Sequence, residues 1–380
     1  MADFSFADYL DAPSNAEVNG IFLPEESTLG KNLVSEDFNV ALIGVPTDGD
    51  LNNLGTADAP NAVRKQLHEL ASRFRNIHVA DLGNIKTGKK LNDAYSALTE
   101  VVTYLASKKI FSVIIGGSQD LTIPMLNALK SVKSEETDER KKVRLTVIDS
   151  KIDLSAKNEP LSANNFWNPI LEDDSISEMA LLGLQNYYYA DWQAEKLVEK
   201  GVVVKRLREI AQNSISAEPF LRDADILSLD MASVRHSEAP GHALSIPNGF
   251  NGVDICQLAH YAGLSDTTLV YGLFGYNPSF DDSDQTAALV AEVAWHILEG
   301  IDKRYNDYPV CDLSKYRKYV VLPKFDGDSK ITFYSNTANG RWWVEIPTLQ
   351  GAKIYSCTAK DYSDFCNNAI PDVWMRHYMK

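Results

Sequence analysis

Short runs of Val, Ile and Leu, nearly unbroken by polar residues and spaced so that a helix fits between successive members, constrain this chain more than any other feature. They are Val40 to Val45, His78 to Leu82, Phe111 to Ile115, Arg144 to Asp149, Met179 to Leu184, Val202 to Val204, Ile226 to Asp230 and Thr268 to Phe274. Strands buried on both faces of a parallel sheet read this way, because neither face meets water and the polar/apolar alternation is lost. The spacing predicts a sheet of about eight strands. Between the runs, Leu98, Val101, Val102 and Leu105 recur at helical spacing, as do Ala287, Val290, Ala291, Ala294, Ile297 and Leu298. For that second helix Asp282 and Ser283 offer caps, Asp284 a first-turn carboxylate and Gly300 a stop. Alternating strands and helices define an α/β layer fold, in which ligands bind beyond the carboxyl ends of the strands.

Two segments depart from this rhythm. Lys130 to Lys142 is a mixed charge run that reads as a solvated helix end and loop. After Asp312, Lys318 to Pro323 and Ile331 to Ser335 read as strands, and Asn339-Gly340 as a turn into a third, Arg341 to Ile346. The expected organisation is an N-terminal segment 1–37, an α/β unit 38–311 and a small β-rich extension 312–380. Trp342 and Trp343 are adjacent, so a strand points them to opposite faces; one is expected on the main unit and the other on a partner or second subunit. The aromatic group Tyr187, Tyr188, Tyr189 and Trp192 reads as core or interface packing.

Charge narrows the partners. With 37 basic and 52 acidic side chains the formal charge is -15, which opposes binding to nucleic acid or to an anionic membrane. No run reaches the roughly 18 to 20 apolar residues of a spanning helix, and the N-terminus lacks a basic, then apolar, leader. The expected setting is cytoplasmic, without membrane insertion. Cys256, Cys311, Cys357 and Cys366 form no CxxC pair and read as free thiols.

The strand ends carry the chemistry: Gly116-Gly117-Ser118-Gln119-Asp120, then Asp149-Ser150-Lys151-Ile152-Asp153, then Ser228-Leu229-Asp230-Met231-Ala232. In order and spacing they resemble the ureohydrolase family of arginases, agmatinases and formimidoylglutamases. Gly55 to Arg64, Asp81-Leu82-Gly83 and Asn277-Pro278 to Trp295 extend the resemblance over about residues 38–300. It implies a three-layer arginase-like fold with a mainly parallel sheet and a site for a manganese pair. It also implies departures. The family's two histidines fall on Gln119 and Lys151, its last aspartate on Ala232, and its guanidinium-binding glutamate on Gly275, while Asp149, Asp153 and Asp230 keep their places.

A protonated lysine has no lone pair, and its charge repels a metal ion a few ångströms away. The expectation is therefore a catalytically inactive protein without a cofactor, acting as a structural, protein-interaction or ligand-sensing subunit that associates with a protein partner or with itself. In it Lys151 serves as the counter-ion of Asp149, Asp153 and Asp230, with Gln119 completing the hydrogen bonding. The alternative is a metal-dependent hydrolase of linear C–N bonds in guanidino or formimino compounds, with one Mg or Mn ion on Asp149, Asp153 and Asp230. Asn164, Asn165 and His236 stand as possible ligand contacts, and His242 lies in the same loop as His236.

Overall fold

The computed structural model describes residues 4–13, 21–22, 38–71, 73–134, 141–157, 159–307, 313–322, 330–349 and 351–378. Most of segment 1–37, residues 135–140 of the charge run, Cys311 and the 311/312 boundary lie outside them.

All eight expected strands form: Val40–Gly44 (β3), Val79–Ile85 (β4), Phe111–Ile115 (β5), Val143–Ile148 (β6), Ile176–Leu184 (β7), Val203–Arg206 (β8), Ile226–Asp230 (β9) and Val270–Phe274 (β10). Two short strands, Leu10–Asp11 (β1) and Ile21–Phe22 (β2), join them in a ten-stranded sheet of order β1-β4-β3-β5-β10-β9-β6-β7-β8, with β2 also on β4. Strands β3 to β10 are all parallel to their neighbours and β1 is antiparallel. The order places β5, β10, β9 and β6 side by side. The residues that end or follow them, Gln119, Gly275, Asp230 and Asp149, therefore share one edge of the sheet.

Helices cover both faces. Leu91–Ser107 and Thr122–Ser134 pack one apolar cluster with Ile114, Val147 and Phe274; Ala59–Leu67, Gly252–Gly263 and Gln285–Asp302 pack the other with Val113, Leu227 and Tyr271. In chain order these helices are α1 (Ala59–Leu67), α2 (Leu91–Ser107), α3 (Thr122–Ser134), α4 (Gly252–Gly263) and α5 (Gln285–Asp302). The ends of α5 differ from expectation. Asp284, rather than lying in the first turn, is the residue before it, at φ 55°, and makes no side-chain cap bond. Gly300 lies inside the helix, not beyond it. A Cβ there would stand 2.5 Å from the carbonyl oxygen of His260 and 2.8 Å from Cα of Gly263, so this glycine permits two backbones to touch.

The C-terminal part forms a separate antiparallel sheet of Tyr316–Val321 (β11), Ile331–Asn336 (β12), Trp342–Thr348 (β13) and Gly351–Cys357 (β14). Gly340, at φ 74°, makes the expected turn. β14 and two helices, Ala359–Cys366 (α6) and Asp372–His377 (α7), are additional to the elements expected there. Trp342 and Trp343 do point to opposite faces. Trp343 is buried against the main unit, its ring 4.5 Å from the Arg222 guanidinium. Trp342 is half-buried and stacks within the extension on Tyr319 and on Tyr362 of α6. Tyr187, Tyr188 and Trp192 are exposed rather than core.

Candidate functional site

Asp149 follows β6 and is wholly buried. Its Oδ1 accepts from the backbone N of Ser150 at 2.5 Å and of Lys151 at 3.4 Å, while its Oδ2 has no hydrogen-bond partner. Asp153 lies one turn of chain further on, and its Oδ1 stands 3.2 Å from Nζ of Lys151. Asp230 ends β9 and folds back so that Oδ1 accepts from the backbone N of Ala232 at 2.7 Å. Ala232 itself is buried and brings no ligand atom.

Three carboxylates facing one ammonium leave an excess of negative charge in a place with little water. The protein answers by holding protons. Burial drives the Asp149 carboxyl well above the usual range, and Asp153 and Asp230 add to the rise. Burial likewise pushes Asp230 up to about 7, against the pull of Lys151. For Lys151 burial alone would lower the pKa, yet the fields of Asp153, Asp149 and Asp230 outweigh it and hold the ammonium charged.

Gln119 begins the one-turn helix after β5. Its Nε2 donates to the carbonyl of Ser228 at 3.4 Å, and its buried Oε1 has no partner. It therefore does not complete the Lys151 network as expected. Gly275 has φ +80°, and a Cβ there would lie 2.3 Å from Oδ1 of Asp230. A side chain there would strain the backbone and require the Asp230 carboxylate to shift. Its carbonyl accepts from Nδ2 of Asn53 at 2.8 Å.

Of the possible ligand contacts, Asn164 reaches the site, donating to Oδ1 of Asp50 at 3.2 Å. Asn165 does not: its side chain is taken up by the backbone of Ser162 and Pro160 within its own loop. His236 is exposed and bonds Ser245, away from the carboxylates. Its neighbour in the loop, His242, is the one at the site, buried with Nε2 3.9 Å from Oδ1 of Asp230. Burial, helped by Lys151, brings its pKa down to about 4, so at neutral pH it is an uncharged neighbour of Asp230 and not an ion pair. Asp50, missed in the sequence, is buried beside this group and acts electrostatically on both Asp230 and His242. It follows β3, whose neighbour is β5, so the strand-end rule applied to β3 would have found it.

Parallel strands with carboxylates gathered at their carboxyl ends define an α/β protein of the ureohydrolase type. The profile of the arginase family matches residues 38–299, and the chain belongs to that family. It is 24% identical over 282 residues to a formimidoylglutamase of Lysinibacillus sphaericus, covering 70% of this chain and 86% of that one. Among solved structures it resembles the formiminoglutamase of Trypanosoma cruzi with Mn2+ (TM-score 0.65, 20% identity, 72% of this chain and 97% of that one). It also resembles the formimidoylglutamase of Bacillus subtilis (TM-score 0.62, 17% identity, 80% and 93%).

These relatives correct one expectation and leave another without support. The expected absence of a cofactor is overturned, because the T. cruzi enzyme of the same fold holds Mn2+. Nothing in these three relatives points to an inactive chain; they bear the names of hydrolytic enzymes. The residues present fit a metal in chemistry more than in spacing. Three carboxylates and an amide oxygen suit a hard divalent ion, and two buried oxygens, Asp149 Oδ2 and Gln119 Oε1, have no hydrogen-bond partner. Yet the oxygens of Asp149, Asp153 and Asp230 do not draw within 4.8 Å of one another as a trio, and the Lys151 ammonium stands among them. Among the described residues no helix is long and apolar enough to cross a membrane.

Proposed function

We propose that this chain is a hydrolase of linear C–N bonds in formimino or guanidino compounds, with a divalent cation taken up by Asp149, Asp153 and Asp230 when the Lys151 side chain swings aside. The observation that carries the reading is the pair of buried, unpartnered acceptors at the site, Asp149 Oδ2 and Gln119 Oε1. Left empty, such atoms cost about 1–3 kcal/mol each. A bound divalent ion supplies acidity to a water molecule, giving a nucleophile at neutral pH. The chain's own groups do the rest. Asp230, raised to about 7 in the metal-free protein by burial, gives up its proton when it takes the cation, so uptake of the ion is favoured as pH rises through neutrality. Uncharged His242 lies beside Asp230, and Asp50 with Asn164 offers a carboxylate and an amide to the cationic end of a substrate.

The relatives' names favour the formimino class, since formimidoylglutamases recur among them. The test is to strip the protein with chelator, reload it with Mn2+ and measure formamide release from formiminoglutamate and urea release from arginine and agmatine. Turnover on one of these, lost in Asp149→Asn, supports the reading; no turnover at any Mn2+ concentration sinks it.

A second reading, a ligand-sensing or protein-interaction subunit that binds without turnover, is favoured by Gly275. The resemblance places a substrate-binding carboxylate there, and a side chain at that position would strain the backbone and displace the Asp230 carboxylate. The same experiment separates the two: Mn2+ that raises the melting temperature without yielding product supports the second.

A further inference from the structure

Away from the strand ends, helices α4 and α5 bring three ligand-type side chains together on the outer layer. We propose that His260, His296 and Glu299 form a zinc site with Nδ1, Nδ1 and Oε2 as its three protein ligands and water in the fourth position. Among the described residues this is the only group of three His, Cys, Asp or Glu side chains whose ligand atoms all lie within 4.8 Å of one another.

The spacing suits a coordination shell as well as it suits a hydrogen-bonded cluster. His260 Nδ1 stands 3.2 Å from Glu299 Oε2, and His296 Nδ1 3.6 Å from the same oxygen. Ligands held tetrahedrally at about 2.0–2.1 Å from zinc lie about 3.3–3.4 Å apart. His260 Nδ1 is buried and has the Glu299 carboxylate beside it without a well-aligned hydrogen bond. Both rings thus turn Nδ1 toward one carboxylate oxygen.

The platform is fixed and open. His296 and Glu299 lie three residues apart on α5 and so share a face; His260 comes from α4, and the Gly263–Gly300 contact locks the two backbones together one turn away. The three side chains are 21–36% exposed, which leaves an entry path. Glu299 also divides its oxygens: Lys303 takes Oε1 at 2.5 Å, leaving Oε2 to the histidines. Two imidazoles and one carboxylate, with an open vertex, form a donor set suited to zinc.

The experiment is equilibrium dialysis of the full chain against Zn2+, with Co2+ as a spectroscopic substitute whose visible absorption reports four-coordination. Metal at the strand-end carboxylates is cancelled by comparing wild type with His296→Ala and His260→Ala, which leave those carboxylates intact. Each variant should bind one equivalent fewer, or bind it about 100-fold more weakly, and lose the Co2+ absorption. Lys303→Met guards against trivial loss through misfolding: it keeps every ligand and removes the ammonium competing for Glu299, so it should bind zinc about two- to fivefold more tightly. Equal stoichiometry and affinity in wild type and both histidine variants would overturn the site, as would unchanged affinity in Lys303→Met.

Discussion

Nζ of Lys151 stands 3.2 Å from Oδ1 of Asp153, inside the group of buried carboxylates at the ends of β6 and β9. One ammonium thus neutralises a place whose neighbours, Asp149, Asp230 and Asp50, would otherwise repel one another. The lysine and a divalent cation compete for the same oxygens. Whichever is absent should make the other matter more.

Lys151→Met should therefore destabilise the metal-free protein at neutral pH. Removing one member of a buried pair typically costs about 3–5 kcal/mol, and the quarter of the Lys151 side chain that is exposed lowers the expectation to about 2–3 kcal/mol. Mn2+ should restore most of the loss. Thermal melts of both proteins with and without Mn2+ check this; a variant as stable as wild type, and indifferent to metal, would show that Lys151 is not the counter-ion.

A raised carboxyl pKa gives stability a slope of known sign. Asp230 titrates near 4 when unfolded and near 7 when folded, so between those values the folded state holds the extra proton and stability falls as pH rises. In chelator-treated protein, Asp230→Asn lacks that penalty and also relieves part of the rise at Asp149, which acts in the same direction. The wild type should lose about 2 kcal/mol relative to the variant between pH 5 and pH 8. His242, brought down to about 4, pulls the other way below pH 6.5 but is present in both proteins and cancels. Denaturant titrations at the two pH values measure the difference; a difference that does not change with pH would mean that Asp230 is ionised throughout.

The sheet was legible because burial on both faces writes itself into every residue of a strand: Phe111 to Ile115 and Ile226 to Asp230 form the strands their composition implies, to the residue. The convergence of Gln119, Asp149, Asp230 and Gly275 was legible only through the resemblance to the ureohydrolases, since the strand order that brings those ends together is not written in any one strand. What a side chain does on arriving there was not. Gln119 turns to the Ser228 carbonyl, Asn165 closes its own loop and His242 takes the place that His236 does not reach. Those outcomes depend on contacts between residues far apart in sequence. Gly300 misled because a glycine near a helix end carries the same letter whether it stops the helix or lets another helix touch it.

That distinction makes a prediction. Were Gly300 a neutral interior residue, Gly300→Ala would gain about 1 kcal/mol of helix propensity. Here the new methyl meets backbone at 2.5 Å and 2.8 Å, atoms that cannot rotate away. Separating α4 from α5 costs more than the gain, since overpacking of this kind runs to about 1–3 kcal/mol. The net effect should be a loss of about 1–2 kcal/mol in chemical denaturation; an unchanged or more stable variant would show that the helices yield freely.

Arg222, on the main unit, anchors the C-terminal sheet. Its guanidinium pairs with Oε2 of Glu218 at 3.0 Å, donates to the carbonyl of Trp342 at 3.2 Å and lies 4.5 Å from the Trp343 ring. All of this is buried, so Arg222→Met strips Glu218 of its nearer cation and leaves only Arg341, at 3.4 Å. Burial already pushes the Glu218 carboxyl upward, and with Arg222 gone it should take up a proton sooner or drive the sheets apart. Either response loosens β11 to β14 before the main sheet unfolds. Limited proteolysis should then cut the variant between the two sheets at protease levels that leave wild type whole, with a stability loss of about 3 kcal/mol. Glu218→Gln in the same chain removes the stranded charge and should restore part of both. Equal protease resistance in wild type and Arg222→Met would mean that the apolar contacts of Trp343 hold the extension without the arginine.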